Sequence, residues 1–225
     1  DYIDNNYLIF LGLAYFFVAS FDLIHTISYK GIGVFTNTTA NLPTQLWIAG
    51  RFFEAASLST ALYLINKKKI NIKKTFFILS IITSILFIFV FSGFFPDAYI
   101  PGSGLTTFKV LSEYIIIFIL IANLIFIYKG EGIFSKDISK YILLTYLMTI
   151  SAELSFSIYH DVYDISNMLG HIFKALSFYF LYKALIEKAL ENPYQNLFTR
   201  LQKSKVKVEN ANKNLKEEIK KRKKA

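Results

Sequence analysis

Six long apolar stretches leave this chain little choice of fold. They run at about 7–29, 46–65, 75–95, 108–128, 139–160 and 168–187. Each is long enough to cross a hydrocarbon core of about 30 Å at about 1.5 Å per helical residue. Pro43, Pro96, Pro101 and Pro193 fall between or after them, where residues that cannot continue a helix belong. The predicted fold is all-α, a polytopic transmembrane helical bundle of six spans followed by a cytoplasmic amphipathic or coiled-coil helix. Two parts follow: residues 1–190 as the membrane domain and 191–225 as a juxtamembrane helix.

The chain is 54% hydrophobic and 17% aromatic, with a mean hydropathy of +0.41, too apolar over too many long runs for a soluble domain of 225 residues. It has no cysteine, which excludes disulfides, thiolate metal sites and covalently attached c-type haem, so any metal or haem depends on His, carboxylate or Tyr. Tyr7 to Tyr29 is longer than the apolar core of a signal peptide and lacks a basic leader, so it reads as a span. The chain opens on Asp1 and closes in a lysine-rich helical pattern, the expectation for a piece of a longer protein.

Short loops set the orientation. The stretch "NKKKINIKK" at 66–74 holds five lysines, and Lys129, Lys136 and Lys140 surround the next such loop, whereas 31–45, 96–107 and 161–167 hold no Lys or Arg. The lysine-rich loops are therefore expected in the cytoplasm, together with the tail after Glu187, in a multi-pass protein of the inner membrane.

Most of the formal charge of +9 sits in that tail: residues 200–225 carry eleven Lys and Arg against Glu209, Glu217 and Glu218. Without interleaved aromatics or base-reading motifs, nucleic acid is not the expected partner. A basic helix beside a span meets anionic headgroups, each cation contributing about 1 kcal/mol. Tyr194, Leu201, Val208 and Leu215 recur every seven residues, with Leu197 and Ala211 at the partner position and Ser204 and Glu218 spoiling the seam. This is a weak coiled coil, read either as a solvated helix or as a stalk joining a homodimer.

Ionisable residues inside the spans fall at one depth. Asp22 and His25, Arg51 and Glu54, Lys109 and Glu113, and His171 and Lys174 are spaced three or four apart, so each pair shares a helix face; Glu153 and His160 add a fifth span. All lie in the predicted outer halves, while inner stretches such as "TFFILSIITSILFIF" carry no charge. Taken singly, Lys30, Lys109 and Lys174 can snorkel, and His160 beside Asp161 reads as loop. Taken together they either line a ligand-receiving polar pocket open to the outside or pair as glue between helices, because unpaired charges in a bundle are destabilising by a few kcal/mol each.

The stretches "DNNYLIFLGLAYFFVASFDLIHTISYKGIGVF", "ANLPTQLWIAGRFFEAASL", "GLTTFKVLSEYIII", "SAELSFSIYHDVYDISNMLGHIFKALSFYFLYKALIEKAL" and "NPYQNLFTRL" resemble, in order and from residue 4 to about 202, the prokaryotic membrane-associated sensor domain of the third type. The resemblance implies an input domain that feeds a cytoplasmic histidine kinase, PAS, diguanylate cyclase, phosphodiesterase or adenylate cyclase module. The piece itself is then no enzyme, although the full-length protein is a signalling enzyme. Two departures stand out: the two further spans usual before the first motif are absent, and Gly31, Ile32 and Gly33 stand where Gly-Met-Gly is usual. The residues matching the family pattern are Asp22, His25, Lys30, Gln45, Trp47, Arg51, Glu54, Lys109, Glu113, Glu153, Asn167, His171 and Lys174. The expected ligand is a small molecule of unknown kind, and no cofactor is required.

Other classes fit less. His25 and His171, at similar predicted depth, could ligate a metal or b-type haem. A transporter needs a polar path through the inner half, which the sequence does not offer. An intramembrane enzyme would use Glu113 or Glu153 as a base near His25, without any recognisable motif.

Overall fold

Among the described residues, six α-helices form where the apolar stretches lie: α1 Asn6–Ile27, α2 Asn41–Leu64, α3 Ile72–Phe91, α4 Thr107–Lys129, α5 Lys136–Phe156 and α6 Ile165–Tyr182. A π-helical turn, Lys183–Lys188, continues α6. The structure, a computed structural model, describes residues 6–29, 31–36, 39–67, 69–129, 134, 136–158, 164–188 and 204–205. Lys30, His160 and the heptad positions Tyr194, Leu197, Leu201, Val208, Ala211, Leu215 and Glu218 lie outside these; Ser204 and Lys205 are helical and exposed.

Helix α2 begins five residues before the predicted span, so Pro43 lies inside its first turn and not between helices. Proline is tolerated there because the N–H it lacks would have no intrahelical acceptor. Helix α3 stops at Phe91, four residues early. Its N-cap Asn71 accepts from the Lys74 backbone N–H at 3.0 Å, so its start is specified locally.

The all-α expectation misses one small element. Strands β1 Tyr99–Ile100 and β2 Gly104–Leu105 pair antiparallel around Pro101 and Gly102, with Ser103 N–H bonded to the Ile100 carbonyl at 3.0 Å. Asn41 fastens this hairpin to the start of α2: its Oδ1 accepts from the N–H groups of Ala98 and Tyr99 at 2.8 and 3.0 Å, and its Nδ2 donates to Asp97 at 2.7 Å.

The most extensive packing joins α1 to α2 and α5 to α6; α4 bridges α2 and α5, and α3 lies mainly against α1. Two glycines permit close approaches between helices. A Cβ on Gly50 would lie 2.9 Å from Phe21 Cβ, and one on Gly170 would lie 2.5 Å from the Phe156 ring. Helices α1, α3 and α4 are long and apolar enough to cross a membrane. Large apolar side chains stand exposed along them, such as Phe16, Ile85, Ile88 and Phe118, as expected where lipid is the solvent.

Candidate functional site

Arg51 occupies the centre of the polar interior with 1% of its surface exposed. Its Nη1 donates to Glu54 Oε2 at 2.6 Å, and its Nη2 bonds Asp22 Oδ1 on α1. The guanidinium carbon lies 4.4 Å from the centre of the Trp47 ring, a cation–π contact. Lys174 of α6 bonds the same Glu54 Oε2, and the Tyr15 hydroxyl donates to Glu54 Oε1 at 2.7 Å. Asp22, Arg51, Glu54 and Lys174 thus form one network across α1, α2 and α6. The spacings 51/54 on α2 and 15/22 on α1 put each helix's contributors on one face. Close helix approach at Gly50 and Phe21 brings the two faces within bonding reach.

A ring cluster lies beside it. His25 Nδ1 meets the Pro43 carbonyl at 2.7 Å; since a carbonyl only accepts, the ring proton is on Nδ1 and Nε2 is free to accept when the ring is neutral. The ring centres of His25 and His171 are 6.3 Å apart, and Trp47 stands 5.2 Å from the first and 5.6 Å from the second. Phe156 packs at 4.5 Å from Trp47 and 5.0 Å from His171. Together with Tyr29, Thr44, Lys109 and Asn167 these residues border a recess with room for about one water molecule. Trp47 Nε1–H has no hydrogen-bond partner, and His171 is exposed at the rim. A larger cleft of about 370 Å³ lies between α1 and α6, where Tyr15 and Asp22 of the network border it with Val18, Phe178 and Leu181. The recess is too small for a porphyrin, and no group of three or more His, Cys, Asp or Glu among the described residues is disposed to hold a metal ion.

A third group is formed by α4 and α5. Lys109 and Glu113, one turn apart, are fully buried. Lys109 Nζ donates to the Phe156 carbonyl and forms an ion pair with Glu113 Oε1 at 2.6 Å. Glu153 of α5 is 0% exposed, and neither of its oxygens has a hydrogen-bond partner. The charges of Lys174, Arg51, Glu54 and Lys109 act on it, which places it between the first and third groups.

Gln45 goes elsewhere. Its Nε2 donates to the carbonyls of Phe95 and Pro96 at 2.9 and 3.0 Å, so it fastens the segment before the hairpin. Sequence reasoning missed Tyr15, although it lies two helical turns before Asp22 on the same face. It also missed Thr145 and Thr149, which precede Glu153 at intervals of four. Thr149 Oγ1 lies 2.6 Å from Ser177 Oγ on α6, and Asn123 of α4 donates to Ser59 of α2 at 2.9 Å. The half predicted to face inward is thus not free of polar groups, contrary to the premise used against a transporter. Hydroxyls and amides there satisfy one another between helices.

The family model for the membrane-associated sensor domain MASE3 matches residues 1–193. No curated protein and no solved structure matches the chain.

Proposed function

The chain belongs to the membrane-associated sensor domain family, and from that premise we propose that it is the multi-pass input domain of an inner-membrane signalling protein. In this reading all six helices span the bilayer, the lysine-rich loops and the C-terminus face the cytoplasm, and residues 191–225 form a dimerising stalk to an output module of histidine kinase, PAS or diguanylate cyclase type. A small extracytoplasmic or intramembrane ligand acts on the polar core.

One observation carries the reading: Lys174, on the helix that leads into the tail, is bonded to Glu54 and through it to Arg51 and Asp22. A stimulus that alters this network at the mouth between His25 and His171 changes how α6 sits against α1 and α2. Any rotation or shift of α6 is delivered to whatever follows it.

The test uses the full-length protein. Lys174→Met should lock the output in one state with insertion unchanged; output that still follows the stimulus removes the network from the signalling route. Topology is tested separately in this cysteine-free background. A cysteine at Asn71 should resist an impermeant reagent in intact cells, and its labelling would reverse the orientation. A second reading, a single metal ion shared by His25 and His171, draws on their 6.3 Å separation. Metal analysis of the purified protein and of His171→Phe decides it.

A further inference from the structure

The cleft between α1 and α6 differs in kind from the ring-lined recess. Its walls are apolar, with Val18 and Ala19 of α1 facing Phe178 and Leu181 of α6 and Leu185 and Ile186 of the π-helical turn, and its volume of about 370 Å³ is that of a small-molecule site. Helix α1 is long and apolar enough to cross a membrane. When it does, the exposed members of the cleft, Ala19, Tyr182 and Ile186, meet lipid.

Two polar groups of the network border this apolar space, and both lack a proton to give. A quarter of the Asp22 side chain is exposed; one carboxylate oxygen bonds Arg51, and Oδ2 has no hydrogen-bond partner. The Tyr15 hydroxyl donates its proton to Glu54 Oε1 at 2.7 Å, so toward the cleft its oxygen can only accept. The network also needs no further ion, because its bonds match two carboxylates, Asp22 and Glu54, with two cations, Arg51 and Lys174. The complement of such a site is an apolar body ending in a neutral hydrogen-bond donor. An acyl chain would fill the same space but leave the carboxylate without a donor, a costly arrangement in hydrocarbon.

The geometry points to a ligand site in this cleft for an uncharged amphiphile dissolved in the bilayer, one whose polar end is a hydroxyl that donates to the Asp22 carboxylate. Its apolar body lies against Val18, Phe178 and Leu181. Two contacts connect this site to α6. A hydroxyl on Asp22 competes with Arg51 for the carboxylate, and Arg51 and Lys174 share Glu54. The Phe178 ring, 6.0 Å from Tyr15 across the cleft, also carries the Lys174 ammonium at 4.9 Å. That connection to output rests on the sensor reading above; binding itself does not.

The test is photolabelling of the full-length protein in nanodiscs by a long-chain alcohol with a diazirine in its chain, mapped by peptide mass spectrometry. Adducts are expected on residues 15–22 and 178–186 and not around Ile85 of α3. Dodecanol should displace them, and its methyl ether, which cannot donate, should do so about tenfold less well. Ala19→Phe, which fills the cleft from an exposed position, should abolish labelling with the helices intact by circular dichroism; Ile186→Trp decides the matter if that variant does not fold. A hydroquinone with a decyl chain, compared with dodecanol, separates an aromatic from an aliphatic source of the hydroxyl, and stronger competition by either supports the site. The site is overturned by adducts spread evenly over the lipid-facing helices, which would mean acyl wetting, and by absence of adducts from both segments, which would mean that another helix covers them. It is overturned also if the corresponding quinone or the methyl ether competes as well as its hydroxyl partner, or if protonated dodecylamine competes better than dodecanol. Output is not read in any of these arms, so labelling without a response removes the coupling to α6 and leaves the site standing.

Discussion

Helices α2 and α3 are neighbours in sequence and similar in length, yet they are built on opposite plans. Sixteen of the 24 residues of α2 are buried, including Gln45, Arg51 and Glu54. Helix α3 buries only Leu79, Thr83 and Val90 out of 20 residues and shows lipid a surface of Ile and Phe. In water the more apolar helix would be the core one. Here the surroundings are as apolar as any side chain, so apolarity no longer selects the interior. What selects it is the need of polar groups for partners and of small residues for close approach.

The contrast is most severely tested at Arg51. Arg51→Met leaves Asp22 with no cation bonded to it and Glu54 with Lys174 alone, and breaking a buried pair in this way costs about 3–5 kcal/mol. Folded yield and thermal unfolding in nanodiscs should both collapse. An Arg51→Met protein as stable as the parent would mean that α2 is not the organising helix.

Next comes packing. Gly50→Ala forces a methyl against Phe21 Cβ at 2.9 Å, and overpacking of this kind costs about 1–3 kcal/mol. Because Phe21 precedes Asp22, cross-linking between cysteines placed on α1 and α2 near the network should weaken as well; unchanged cross-linking would show that α1 can slide without losing the bond to Arg51.

A smaller effect is expected from Tyr15→Phe, which removes the donor to Glu54 Oε1. Interhelical hydrogen bonds inside membranes contribute about 0.6 kcal/mol on average, so a modest shift in thermal midpoint should appear with the helices intact. A shift as large as that of Arg51→Met would move Tyr15 to the centre of the network. The smallest effect belongs to α3. Ile85 is 59% exposed, and Ile85→Val should change stability by less than about 0.5 kcal/mol. Brominated lipid should quench a tryptophan at position 85 strongly, and lack of quenching would show that α3 is covered by protein.

How much of this was legible in advance differs from residue to residue. The pairs 22/25, 51/54, 109/113 and 171/174 could be placed on helix faces because a period of 3.6 is local arithmetic, and their common depth followed from counting residues along each span. That Glu54 would be held by Arg51, Lys174 and Tyr15 together, while Glu153 would have no donor, was not legible. Both are buried glutamates flanked by small and apolar residues in sequence, and only the neighbouring helices differ. Gln45 illustrates the opposite case. It joined the polar set through the family motif, and only the structure shows its amide donating to the Phe95 and Pro96 carbonyls, a fastening role.

The sequence by itself determined that the chain is a bundle of apolar helices, roughly where each begins and ends, and which residues could not face lipid, because hydropathy, helical period and the behaviour of Pro and Lys are properties of short segments. Tertiary structure alone decided that α3 lies outside and α2 inside, that Trp47 packs against both imidazoles, and that Glu153 is left without a hydrogen-bond partner. These outcomes depend on distances between atoms far apart in sequence. Such distances are set by how closely the helices approach, through contacts such as Gly50 on Phe21 and Gly170 on Phe156 that no single segment encodes.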